Sequence, residues 1–212
     1  MPTPNFMQVR ELLLQALVHE RGGTLVYSAA LECVVDDDLR AEWEKYLEQT
    51  IRHVDILTDA CVAMGLDPDE MTPGCQIVHQ NGKALVIAMK MARADGTPES
   101  AQLVACDCVV FAETKDHANW ELIGQCAKQM NGDAARVLQQ AYDQVEDEED
   151  EHLYHTKGWC RELWLKSLGL RAVVPPPEEK QHVKTALEAA GVEQARKDGA
   201  AKSPSSQRRR AR

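Results

Sequence analysis

The chain alternates long stretches of helical hydrophobic spacing with short stretches of turn-forming residues. Over residues 7–35, apolar positions recur at intervals of three and four, which predicts one long helix. The three aspartates at 36–38 form a turn and supply an N-cap and acidic first-turn charge for a second helix. Gly65 predicts the end of that helix. The first part of the chain is therefore predicted to be two long helices joined by a tight turn.

A connection of about thirty residues separates this pair from the next one. It contains four residues that usually interrupt helices: Pro73, Gly74, Asn81 and Gly82. The pattern predicts only a short helix inside the connection, at about 83–93. The stretch 95–99, Asp-Gly-Thr-Pro-Glu, then ends this short helix and caps a third long helix that ends near Met130, and residues 134–168 form a fourth, closed by Gly169.

The predicted order is a helix pair, a long crossover and a second helix pair. Two hairpins joined by one long connection describe an all-α, ferritin-like four-helix bundle, which we assign to residues 1–170. The three prolines at 175–177 form a stiff linker, and a C-terminal helical extension is predicted within 171–198. The basic tail at 199–212 is expected to be disordered.

Composition narrows the cellular setting and the partners. The 212 residues carry a formal net charge of −10, so nucleic acid is an unlikely partner except through the basic tail. No apolar run approaches the roughly 18 residues of a membrane span, and the first ten residues have no secretion-signal pattern. The seven cysteines include no CxxC pair, which is typical of reduced thiols. We therefore expect a cytoplasmic protein without a membrane anchor, and we expect it to form a homodimer.

Polar residues occupy the inward stripe of every long helix. Glu20, His53, Glu113 and His152 each lie among apolar residues at helical spacing. Burying an isolated carboxylate is costly, but a divalent cation converts the repulsion between several carboxylates into shared coordination. Carboxylate oxygens and imidazole nitrogens are ligands that iron and manganese accept. The pattern therefore predicts a metal site inside the bundle.

The spacing of these residues supports one shared level. Glu20 and His53 are 33 residues apart, and Glu113 and His152 are 39 apart, which suits antiparallel helices joined by short turns. Glu149 and His152 form a Glu-x-x-His unit, so both side chains leave one helix face. Glu148 and Glu149 are at similar angles from the centre of the stripe, so the pattern leaves the choice between them open.

These residues resemble the ligand pattern of the ferritin-like di-iron carboxylate family over about residues 7–168. That family has one Glu on its first and third helices, which Glu20 and Glu113 match, and a Glu-x-x-His on its second and fourth helices. The resemblance extends to Glu149 with His152 and to His53. The stretches 46–53 and 65–68 also look like the small bacterial stress-associated branch of ferritin-like proteins.

The sequence departs from the family at Thr50, where the second helix should carry its glutamate. Threonine is a poor metal ligand, so His117, one turn beyond Glu113, or His155 is a candidate for the missing ligand. Tyr46 and Thr50 are candidates for orienting the ligands and assisting the chemistry.

The resemblance implies a di-iron or di-manganese oxidoreductase of the ferroxidase or peroxide-consuming type, with dioxygen or hydrogen peroxide as reactant. The alternative is a non-catalytic helical stress-response or assembly protein. In that case the polar stripe would be a hydrogen-bonded network without metal.

Overall fold

The computed structural model describes residues 4–178, which fold into helices and contain no strand. The predicted all-α class is therefore confirmed for this part of the chain. None of these helices combines the length and apolar character needed to cross a bilayer. The predicted C-terminal helix and basic tail lie outside the described residues. The helices are α1 (Phe6–Leu31), α2 (Asp37–Ala63), α3 (Pro73–Asp95), α4 (Pro98–Gln129), α5 (Gly132–Tyr142) and α6 (Glu146–Ser167).

The ends of α2 lie where the sequence predicts them. The Asp36 carboxylate accepts hydrogen bonds from the backbone N–H groups of Asp38 at 3.1 Å and Leu39 at 3.3 Å. Gly65 has a φ of +74°, which the missing Cβ permits, and the Leu66 N–H donates to the Cys61 carbonyl at 2.9 Å. Local sequence therefore determines both ends of this helix.

The first helix ends at Leu31, one turn earlier than predicted. Gln102 on α4 accepts hydrogen bonds through its Oε1 from the backbone N–H groups of Val35 at 2.6 Å and Asp36 at 2.8 Å. These bonds hold the chain in the extended conformation that Asp36 needs as an N-cap. The predicted end of α1 was wrong because it depends on Gln102, which belongs to a helix far away in the sequence.

The connection contains a helix of 23 residues, α3, instead of the predicted short segment at 83–93. It begins at Pro73, about ten residues before the predicted start. The Thr72 side chain accepts a hydrogen bond from the Cys75 N–H at 3.1 Å and so caps the helix, and Pro73 suits the first turn. Gly82 lies inside the helix, and a Cβ added there would be 3.8 Å from the Cα of Gly22 on α1. Close packing of α3 on α1 therefore outweighs the poor helix propensity of this glycine.

The predicted fourth helix is interrupted between α5 and α6. The chain turns at 143–145, where the Val145 N–H donates to the Tyr142 carbonyl at 3.0 Å. Val145 is fully buried, and α6 then begins with the acidic residues 146–149, which favour a helix N-terminus. The prediction of one continuous helix over 134–168 was therefore wrong.

The core consists of two apolar clusters. The first includes Leu13, Leu17, Leu57, Trp120, Ile123 and Val145. The second includes Tyr27, Trp43, Tyr46, Met89, Val109 and Trp159. Along the chain, α1, α3 and α6 run from the first cluster to the second, whereas α2 and α4 run from the second to the first. The residues at which α1, α2, α4 and α6 change from one cluster to the other are polar.

Two helix glycines allow a matched test of this packing. A methyl group at Gly22 meets no atom within 4 Å, so Gly22→Ala should raise the free energy of unfolding by about 0.5–1 kcal/mol. A methyl group at Gly124 would lie 2.6–2.9 Å from three ring carbons of Tyr142, so Gly124→Ala should lower it by about 1–3 kcal/mol. Urea unfolding followed by circular dichroism measures both. If both variants changed the free energy of unfolding in the same direction, the result would contradict this packing.

Candidate metal centre

Polar side chains from α1, α2, α4 and α6 meet between the two apolar clusters. They form two groups in which one ligand atom from each residue lies within 4.8 Å of the others. The first group is Glu20, His53 and Glu149, and the second is Glu113, Glu149 and His152. All five residues are at most 3% exposed. Glu149 belongs to both groups, which makes it the residue on which the arrangement is centred.

One carboxylate oxygen of Glu149 lies between two imidazole nitrogens. Glu149 Oε1 is 3.1 Å from His53 Nδ1 and 3.6 Å from His152 Nδ1. His53 Nδ1 is also 3.5 Å from Glu20 Oε1, and His152 Nδ1 is 3.6 Å from Glu113 Oε2. The Nδ1 atoms of both histidines therefore face the shared interior point.

The opposite ring nitrogens of these histidines have partners farther from the centre. His53 Nε2 donates to Glu148 Oε2 at 2.9 Å, and Glu148 also pairs with Arg52. His152 Nε2 donates to Gln49 Oε1 at 2.9 Å. A histidine whose outer N–H is held by an acceptor presents a lone pair on its inner nitrogen, as metal-binding histidines do. Glu148 therefore orients His53, whereas Glu149 contributes its oxygens to the two groups.

The atoms that face the centre have no aligned hydrogen-bond partner. They include both oxygens of Glu149, Oε2 of Glu20 and of Glu113, and Nδ1 of His53 and of His152. The 3.1 Å separation between His53 and Glu149 lacks the alignment of a hydrogen bond. Buried polar atoms are nearly always paired, so this concentration of polar atoms without an aligned partner among the described residues requires a physical reason. A cation bound among them would satisfy them together.

The electrostatics of the cluster favour positive charge. Burial raises the pKa of Glu149 to about 7, and the carboxylates of Glu113 and Glu20 add to this effect while His53 opposes it. Burial alone would lower the pKa of His53, but Glu149 and Glu20 outweigh it and raise the value to about 11. The carboxylates thus hold protons and an imidazolium strongly, as expected of a site that attracts cations.

Two residues of this region, Asp116 and Gln49, were not predicted from the sequence. Asp116 is 3% exposed, and burial together with Glu20 and Glu149 raises its pKa well above the usual range. Its position three residues after Glu113 places it on the same side of α4, and this spacing is the sequence feature that indicates it. Gln49, which holds His152, carries no ligand chemistry that a sequence pattern would reveal.

Neither Thr50 nor Tyr46 belongs to the two groups of possible ligands. The Thr50 hydroxyl donates to the Tyr46 backbone carbonyl at 2.9 Å, so it is used within α2. The Tyr46 ring packs on the His152 ring, with centroids 4.4 Å apart, and its hydroxyl is 3.1 Å from His155 Nδ1. Tyr46 therefore supports His152 by ring packing, and His155 lies outside both ligand groups.

His117, the other candidate for a missing ligand, is not brought into either group. Its Nε2 is 2.7 Å from Asp150 Oδ1, and its side chain is 14% exposed. It lies nearer the surface, between α4 and α6, in contact with the Tyr154 ring.

Comparisons of the chain with protein-family models, with curated proteins and with solved structures give no match.

Trp120 provides a direct test of the buried carboxyl layer. Its indole N–H donates to Glu20 Oε1 at 2.7 Å, whereas the N–H of the equally buried Trp159 has no partner. Both Trp→Phe changes remove similar volume, but only Trp120→Phe removes a hydrogen bond from a buried carboxyl. In chelator-treated protein, Trp120→Phe should lower the free energy of unfolding by about 1–3 kcal/mol more than Trp159→Phe. Equal losses would show that this hydrogen bond contributes nothing.

Proposed function

We propose that the protein is a ferritin-like oxidoreductase that holds two divalent metal ions, iron in the first instance and manganese as the variant. The observation that carries the proposal is Glu149, a buried carboxylate shared by two groups of glutamate and histidine. A carboxylate shared in this way is suited to bridge two ions, as in two-metal sites.

The course of the chain supports the ferritin-like assignment. The helices α1 and α2 run in opposite directions, α3 returns the chain along the molecule, and α4 then runs in the direction of α2. Opposed helix pairs joined by one long crossover are the topology of ferritin-like bundles, in which ligands project inward from all four helices.

The donor set matches the charge of two divalent cations. Four carboxylates are buried at this level, Glu20, Glu113, Asp116 and Glu149, and they carry four negative charges when ionised. Glu20 and His53 would hold one ion, Glu113 and His152 the other, and Glu149 both. Asp116 adds a fourth carboxyl to the layer, where Thr50 leaves the second helix without one.

The ligand types favour redox-active metals. Mixed carboxylate and imidazole sets suit iron and manganese, whereas structural zinc sites use more thiolate and histidine. Iron in this set would supply electrons to dioxygen or hydrogen peroxide. The protein itself contributes the positions of the ligands, the hydrogen bonds that the two histidines donate to Glu148 and Gln49, and two apolar clusters that limit water.

The alternative, a non-catalytic stress or assembly protein with a metal-free polar network, is less well supported. Such a network is stable only when its members are hydrogen-bonded to one another. Both Glu149 oxygens lack an aligned hydrogen bond from any described residue, although the side chain is buried. Metal binding gives these atoms a role that the network does not.

Metal stoichiometry tests the assignment residue by residue. The full chain loaded with Fe²⁺ or Mn²⁺ under anaerobic conditions should bind about two ions, as in two-metal sites. Glu20→Gln and Glu113→Gln should each weaken one group and lower the number to about one. Glu149→Gln should abolish most binding, because it alters both groups. Elemental analysis after gel filtration measures the bound metal.

Glu162→Gln is the matched control, because Glu162 is a fully buried glutamate whose carboxylate pairs with Arg161 and the Val173 N–H. It should leave the stoichiometry unchanged. Circular dichroism confirms that each variant is folded. A folded wild-type chain that retains far less than one ion would refute the metal centre.

Oxygen uptake tests the redox role separately. Addition of dioxygen to the Fe²⁺-loaded wild-type protein should consume oxygen faster than the same iron in buffer, as an oxygen electrode would record. The rate of oxygen consumption by the Glu149→Gln variant should fall to that of the same iron in buffer. If hydrogen peroxide oxidises the bound Fe²⁺ faster than it oxidises the same iron in buffer, and dioxygen does not, the protein is of the peroxide-consuming type. Metal binding without either reaction would leave a metal site and exclude the oxidoreductase.

A further inference from the structure

The proposed centre is sealed from solvent. Glu20, His53 and His152 have no exposed surface, and Glu149 is 2% exposed. An ion that binds there must cross the protein, so the structure should contain a route that suits a cation.

A cleft between α4, α5 and α6 reaches one of the ligands. Its volume is about 150 Å³, and a single water needs roughly 10–15 Å³, so it has room for a hydrated ion. Six residues line this outer cleft: His117, Glu121, Tyr142, Glu146, Asp150 and Tyr154. The buried Trp120 and Glu149 complete the lining. Because both Glu149 oxygens lack an aligned hydrogen bond from any described residue, the cleft leads to a buried carboxylate that can take a ligand.

The charged lining of the outer cleft is acidic. Glu121, Glu146 and Asp150 are its acidic residues besides the buried Glu149, and no lysine or arginine of the described residues lines it. Lys128 and Lys157 lie nearby, 5.6 and 6.0 Å from the centroids of tyrosine rings, but are not part of the lining. Clefts lined by one sign of charge focus the field and raise the local concentration of the opposite ion.

His117 and Asp150 mark the more exposed part of this cleft. His117 Nε2 and Asp150 Oδ1 are 2.7 Å apart, and their side chains are 14% and 33% exposed. Asp150 and the buried Glu149 both line this cleft, so an ion held by Asp150 shares the cleft with the buried carboxylate. An imidazole and a carboxylate at this separation can take the same cation in place of their mutual contact.

A larger cavity elsewhere does not suit a cation. It has a volume of about 380 Å³, lies between α1, α3 and α4, and is mostly apolar. Its lining includes Lys115 and His19 but none of the five residues of the two ligand groups.

We propose that the outer cleft is the route by which a divalent cation reaches the buried centre, and that His117 and Asp150 bind the ion transiently on the way to Glu149. This inference rests on the proposed function. It adds a second, outer cation site and assigns roles to residues that the buried centre does not use.

The test is the rate of metal uptake by the full chain. Chelator-treated protein is mixed with Co²⁺ in a stopped-flow instrument, and the visible absorption of Co²⁺ in carboxylate and imidazole coordination is followed. The triple variant Glu121→Gln, Glu146→Gln and Asp150→Asn should load at least about tenfold more slowly at low ionic strength. The number of ions bound at the end should equal that of the wild type.

A charge-matched control separates the cleft from net charge. Glu44→Gln, Asp55→Asn and Asp59→Asn remove three acidic groups from exposed positions of α2, away from the cleft. This variant should load at the wild-type rate. The difference should shrink as salt rises, because the Debye length falls from about 30 Å at 0.01 M to about 8 Å at 0.15 M.

The outcomes separate this inference from the proposed function. Equal loading rates for the two triple variants, with normal final occupancy, would overturn the route and leave the metal centre intact. A wild-type chain that binds no Co²⁺ would overturn both. If the triple variant of the cleft fails to fold, the single change Asp150→Asn replaces it, and an unchanged rate in that variant would overturn the role of the outer site.

Discussion

The structure depends on how it accommodates several carboxylates buried at one level. Glu20, Glu113, Asp116 and Glu149 repel one another in a medium that stabilises charge poorly, so positive charge must be supplied to them. In the absence of a cation, protons do this, as the raised pKa of Glu149 and of His53 indicates. Two divalent ions would replace those protons and cancel the same charge. Binding of such ions would therefore be coupled to folding stability.

The apolar clusters on both sides convert this constraint into a defined geometry. Four helices cross the polar layer. Large side chains pack between these helices on both sides of the layer, including Trp43 and Trp159 in one cluster and Trp120 and Leu57 in the other. Sites built on helices held in this way are positioned more precisely than sites on loops. The side chains of the layer need little local support beyond the hydrogen bonds that the two histidines donate to Glu148 and Gln49.

Helical periodicity indicated four of the five residues of the two groups, Glu20, His53, Glu113 and His152, because each is the polar member of an otherwise apolar stripe. It left Glu148 and Glu149 unresolved, since the rotation of α6 depends on how the chain turns at the buried Val145. The early end of α1 and the full length of α3 depend on contacts with Gln102 and Gly22, which are far away in sequence. Local pattern therefore determined what each helix contributes, and tertiary contacts determined where helices stop.

The acidic run at 146–151 illustrates how one helix distributes like charges among different tasks. Glu149 points into the sealed layer, while Glu148 accepts from His53 and pairs with Arg52. Glu146 and Asp150 line the outer cleft, and Glu151 pairs with Lys45 at 2.6 Å. Six consecutive acidic residues would repel one another on a flat surface, but helical geometry turns each by about 100° from the last, and the N-terminal dipole offsets part of the repulsion. Such a run at a helix start is usually a solvated face. Here its members extend from solvent to the buried centre. The acidic residues that would attract cations from solution are therefore neighbours in the chain of Glu149, the residue that would hold them.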